Sequence, residues 1–200
     1  MKETIDSILT FWFGNGTVTT EVVAEKKKLW WGKDEEVDQE ITRRFRAVVQ
    51  EVFEGRLDHW RETPNGLLAS IICCDQFSRN MYRGTARAFE FDSVALGMAE
   101  QMVATGEDME LSEIQRVFAY LPFEHSEEVA KQTKSIELFT ALLEGAKESE
   151  REIFSDYLQF ARRHFEIIER FGRFPHRNVI LGRDSSEAEI AFLEQPGSSF

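Results

Sequence analysis

The stretch TPNGLLASIICCDQFSRNMYRG, residues 63–84, decides how the chain is read. Thr63 before Pro64 reads as a helix N-cap with proline in the first turn, and Gly84 reads as a stop, so one helix is predicted over 64–83. Leu67, Leu68, Ile71 and Ile72 define its buried side. Asp75, Arg79 and Arg83 then follow at four-residue steps, with Gln76 and Asn80 beside them. On a solvated face this is an ion-pair ladder of small energetic weight. Phe77, Met81, Phe89 and Phe91 crowd the same neighbourhood and are the motive for the competing reading, a partly buried polar seam.

Helical periodicity continues outward in both directions, without clear strand alternation. Before residue 63, helices are expected over 3–13 with a stop at Gly14, over 20–30, and over 35–54 with Asp34 as cap and Gly55 as stop. After Gly84 they are expected over 86–105, over 111–121 closed by Pro122, from the cap Ser126 to about 144, and over 147–171 ending at Gly172. A last short helix has Ser186 and Glu189 at capping-box spacing. Short connections and only 4 prolines predict an all-α fold, a compact array of antiparallel helical hairpins forming a single domain over 1–200. Hydrophobic residues at 42%, including 17 Phe, supply a sizeable core.

The net charge of −12 lacks the basic footprint of a nucleic-acid binder. The apolar stretch 67–74 is interrupted by Ser70 and far too short for a bilayer, and an acidic chain is repelled by anionic headgroups, so no membrane partner is expected. The rings of FWF at 11–13 and of Trp30 and Trp31 would close the core or, if exposed, form a homodimer contact. MKETIDSILTFWFG carries Glu3 and Asp6 and does not read as a signal peptide. The adjacent Cys73 and Cys74 make a poor disulfide, so a reducing, cytoplasmic setting is expected.

Three further places hold polar residues that neither core nor surface explains well. His164 follows the apolar stripe of the 147–171 helix and faces inward. FGRFPHRN, 171–178, supplies Arg173, His176, Arg177 and Asn178 from a turn where a helix dipole accounts comfortably for one cation. PFEHSEE places His125 just before a helix start, and Gln132 lies on the apolar side of the helix that follows, with Val129, Ile136 and Phe139.

The combination DQFSRNMYRGTARAFEFD, LPFEHSEEVAKQ and FGRFPHRNVILGR, together with FWFG, LWWGKDEEVDQEITRRF and the end GSSF, resembles the bacterial domain-of-unknown-function family numbered 924 over essentially the whole chain. That resemblance implies a tetratricopeptide-like helical fold and no particular activity. It singles out Asp75, Gln76, Arg79, Asn80 and Arg83, then His125, Ser126, Glu127 and Gln132, and finally Arg173 to Asn178.

Three functions fit these residues. In the first, Asp75, Arg79, Asn80, Arg83, Gln132, Arg173, Arg177 and Asn178 line a polar pocket for a small anionic molecule, a carboxylate or phosphate. His125, His164 or His176 would then serve as general acid or base, with Asp75 orienting a ring. In the second, those three histidines with Asp75 or Glu128 hold a metal for hydrolysis, although no HExxH or CxxC pattern is present. In the third, a tetratricopeptide-like groove grips an acidic peptide without catalysis. No cofactor follows from any motif, and whether the chain is an enzyme stays open at this level.

Overall fold

A computed structural model describes residues 3–198; the last two residues of the GSSF segment lie outside the described residues. The fold is all-α, with no strand among the described residues. Helix α1 (Ile5–Phe13) opens with a capping box, in which Thr4 Oγ1 accepts from the Ser7 N–H and Ser7 Oγ accepts from the Thr4 N–H. Helix α2 (Thr19–Trp31) follows, then α3 (Glu35–Phe53), whose cap Asp34 accepts from the N–H groups of Glu36 and Val37. Helix α4 (Pro64–Ile71) starts as expected, with Thr63 Oγ1 accepting from the Gly66 N–H. A Cβ at Gly66 would stand 2.1 Å from the Trp60 carbonyl oxygen, so glycine is what lets the preceding 3₁₀ turn pack there.

Helix α4 is surrounded. Residues 66–71 are all buried, and α1, α6 (Asp92–Thr105) and α7 (Glu113–Glu124) pack around them. A helix buried on every face is the spine of a globular core rather than one layer of an open stack. Around it, Phe77 meets the rings of Phe45 and Trp12 at 4.4 and 5.5 Å, and Trp12 meets Phe118 at 5.6 Å. The FWF segment and Trp30 therefore close the core, and the Trp30 indole donates to the Trp12 carbonyl. Trp31 stays half exposed against Phe118 and Tyr157.

Helix α7, α8 (Val129–Gly145) and α9 (Arg151–Phe171) pack in succession through short connections, and such links make neighbours antiparallel. These hairpins are compatible with a tetratricopeptide-like arrangement. A second, smaller core gathers Ile167, Ile168 and Phe174 with Phe171 and Phe192, bringing the turn after α9 and α10 (Glu187–Leu193) together. No helix among the described residues is long and apolar enough to cross a membrane.

Several boundaries differ from the sequence expectation. The 64–83 helix is not uniform: it widens into a π turn over Ile72–Phe77 before α5 (Ser78–Met81). The expected 86–105 helix is a 3₁₀ turn, Ala86–Phe89, followed by α6, with Phe91 fully buried at the break. Pro122 does not close α7, which continues to Glu124. Proline denies a partner to the carbonyl four residues back, but helical bonding resumes beyond it, as from the His125 N–H to the Leu121 carbonyl at 2.9 Å, and the buried Leu121 and Phe123 hold the turn.

Candidate functional site

The π turn builds the site. One widened turn leaves backbone carbonyls without their usual partners and re-aims side chains. Ser78 Oγ donates to the Cys74 carbonyl at 2.5 Å, and Arg79 Nη1 donates to the Asp75 carbonyl at 2.7 Å. Asp75 itself is fully buried. Its carboxylate accepts from Gln76 Nε2 at 2.6 Å, a contact between sequence neighbours that a regular helix does not favour. His125 Nδ1, from the end of α7, reaches Asp75 Oδ1 at 2.7 Å, and Arg79 Nη1 lies 3.3 Å from the same oxygen.

A second carboxylate extends the network. Asp92, the first residue of α6, takes a bidentate pair from Arg79 Nη1 and Nη2 at 2.8 and 3.1 Å. Arg177, from the turn after α9, leans toward the same group, with Nη1 3.6 Å from Asp92 Oδ2. The rings of Phe89 and Phe174 lie 4.7 and 4.4 Å from its guanidinium carbon. Arg177 is only 7% exposed, yet its side chain makes no hydrogen bond with any described residue, and its Nε is fully enclosed without a partner.

Burial opposes ionisation of Asp75, but the Arg79 charge and the His125 and Gln76 hydrogen bonds overcome it and hold the carboxyl well below the usual range. Burial, reinforced by the Arg79 charge, lowers His125, so its ring is a neutral imidazole whose Nδ1–H points at Asp75. The lone pair then sits on Nε2. Burial carries His164 down to about 3, and burial with the Arg177 charge carries His176 down to about 4. Glu124 Oε1 stands 3.2 Å from His164 Nδ1; burial and the nearby Asp75 charge push its carboxyl up to about 8. Burial and the Arg79 charge lower Arg177 to about 10, which leaves it a cation at neutral pH.

The structure thus brings together Asp75, Arg79, His125, His164, His176 and Arg177, linked by the Phe174 ring, which lies 5.5 Å from His164 and 5.6 Å from His176. Gln132, fully buried, braces the α7–α8 turn by donating to the carbonyls of Glu124 and Ser126 at 2.6 and 2.7 Å. Ser126 is not the N-cap expected of it: α8 begins at Val129, and Ser126 Oγ instead accepts from the Glu128 N–H inside the turn.

Four other expected residues are engaged elsewhere. Asn80 and Arg83 both grip Asp38 of α3, at 2.7 Å from Asn80 Nδ2 and 2.7 and 3.0 Å from Arg83. Arg173 is paired twice with Glu189 and donates to the Asp184 carbonyl. Asn178 is held between Ser185 and Arg183, and Arg183 in turn makes a double bond-pair with Glu127. These contacts tie the end of α5 to α3, and the segment after α9 to α10 and to the α7–α8 turn. Asp38→Ala should therefore lower unfolding free energy by about 1–2 kcal/mol, discounted for partial exposure, which a denaturant titration checks.

His125, His164 and His176 do not assemble with Asp75 or Glu128 as metal ligands, and among the described residues no group of three or more His, Cys, Asp or Glu side chains is placed to hold a metal ion. Two surface cavities, of about 190 and 710 Å³, open beside α1 and are lined by none of these residues. Sequence reasoning missed Asp92, Asp38 and Glu124. Glu124 had a readable signal, since it follows the buried Val117 and Leu121 at helical spacing. Asp92 reads as an ordinary acidic residue of a first helical turn.

The chain is similar in structure to a solved protein of unknown function, ATU0120 from Agrobacterium tumefaciens, with a TM-score of 0.81 and 36% identity over 95% of this chain and 96% of that one. No curated protein matches it. The family model described as "Bacterial protein of unknown function (DUF924)" matches residues 8–197, and the chain belongs to that family.

Proposed function

We propose that the Arg177 cluster binds a small anionic ligand and that the Asp75–His125 pair acts on it as a general base. One observation carries this reading: a nearly enclosed guanidinium whose side chain has no hydrogen-bonding partner among the described residues. Buried donors are almost always paired, and Arg177, though it leans toward Asp92 at 3.6 Å, keeps an enclosed Nε–H without an acceptor, which is costly enough to need a function. An anion supplies the missing acceptors. His125 stands in the same network, oriented through Nδ1 by a buried carboxylate, with Nε2 able to take a proton. An acidic peptide would need an open groove, whereas Arg177 and Asp75 are buried, so a small molecule fits better. Two free, buried cysteines agree with a reducing, cytoplasmic setting.

Thermal-shift titration with small carboxylates and inorganic phosphate should raise the melting temperature of the wild-type protein. Arg177→Gln should weaken binding at least about tenfold, the scale of one lost charge-assisted hydrogen bond. Nitrogen NMR of the histidines should find His125 neutral with its proton on Nδ1. No shift with any anion would remove the binding reading, and a proton on Nε2 would remove the base.

A further inference from the structure

We infer that the anion held at Arg177 is a small planar monocarboxylate rather than a phosphate, an inference that rests on the anion-binding reading above. The first argument is the donor inventory. Arg79 already commits both terminal nitrogens, to Asp92 and to the Asp75 carbonyl. Arg177 is then the guanidinium with donors to give, and it offers one recognition edge. Its Nη1 is the nitrogen that leans toward Asp92, which leaves the Nε and Nη2 side. The N–H bonds on that side run parallel, a fork whose spacing matches the two oxygens of one carboxylate. Nε on this edge is the enclosed atom without a partner.

Charge points the same way. Arg79 and Arg177 face Asp75 and Asp92, so the fixed charges of the cluster cancel in pairs. One added negative charge, shared with a histidine that can take up a proton, is a modest load. A phosphate dianion would bring two into a site where Phe89 and Phe174 supply rings and no donors. Its third oxygen would need a further donor, and removing a dianion from water into apolar surroundings is heavily penalised. Two oxygens, one plane and one charge are what this edge satisfies.

Calorimetric titration of the full chain with formate, acetate, benzoate and inorganic phosphate near neutral pH tests the assignment. At least one carboxylate should bind ten times or more tighter than phosphate, and Arg177→Lys, which keeps the charge but loses the fork, should lose about tenfold of that affinity. Phosphate binding as tight as or tighter than every carboxylate would overturn the carboxylate assignment and leave the anion-binding reading standing. No binding by any of the four would overturn both. The ranking is read on the wild-type protein, so it decides the matter even if Arg177→Lys fails to fold.

Discussion

Asp75→Ala is expected to lower the unfolding free energy by about 3–5 kcal/mol, the usual result of deleting one member of a buried charged network. At about 2–4 °C per kcal/mol for a chain of this length, that is a loss of roughly 6–20 °C in melting temperature. Three partners are stranded together: the Nδ1–H of His125, the amide of Gln76 and part of the Arg79 charge. Arg79 keeps Asp92, which sets the upper bound on the damage. Asp75→Asn should cost less, because an amide oxygen still accepts from one neighbour. The sign with pH is fixed by the depressed carboxyl: its stabilisation is present above the ordinary carboxylate range and fades as acid protonates it. The gap between wild type and Asp75→Ala should therefore narrow below pH 4, a value on the order of the unfolded carboxyl's own titration point. Urea titrations at two pH values measure both features. A loss under about 1 kcal/mol at neutral pH would mean that water already serves this carboxylate and that it anchors nothing.

Several helix starts were legible because capping is local chemistry, although Ser126 does not cap α8. Asp34, Thr63 with Pro64, and Ser186 with Glu189 all cap the helices expected of them. The π turn was not legible, since nothing in ICCDQF distinguishes it from an ordinary turn of buried helix; tertiary packing on every side imposes it. The end of α5 at Met81 explains why the Asp75, Arg79, Arg83 ladder divides. Four-residue steps hold one face only while the helix lasts, and Arg83 lies in the turn beyond it. Asp75 and Arg79 point into the cluster, while Arg83 meets Asp38 on α3. Likewise, nothing in FGRFPHRN separates Arg173 from Arg177. The distinction is made by Glu189, sixteen residues further on, which takes Arg173 and leaves Arg177 for the site. Residue type and inward phase found the polar residues; which of them have partners is a property of long-range contacts.

Glu124→Gln is expected to stabilise the protein in mild alkali, an unusual direction for a buried substitution. Glu124 is 4% exposed, its carboxyl is raised to about 8 by burial and the Asp75 charge, and the titratable groups that interact with it include Asp75, His164 and Tyr157. A carboxyl raised on folding contributes stability that is complete below its unfolded titration point and is lost as pH climbs through the folded one. Each pH unit in that window removes at most about 1.4 kcal/mol. Glutamine has the same shape and stays neutral at every pH, and the His164 Nδ1–H keeps its own acceptor, the Phe160 carbonyl at 2.9 Å. The two proteins should therefore be close in stability near pH 5 and diverge steadily toward pH 8, with the variant ahead by a few kcal/mol. The three histidines, all lowered in the folded state, act oppositely: their neutral burial costs stability as acid charges the unfolded chain. Wild type should consequently show a stability maximum in weak acid, and the variant should lose only the alkaline fall. Melting curves at half-unit steps from pH 5 to 9 display this directly. Parallel curves for the two proteins would show that Glu124 is ionised in the fold, and the neutral acid beside His164 would have to be abandoned.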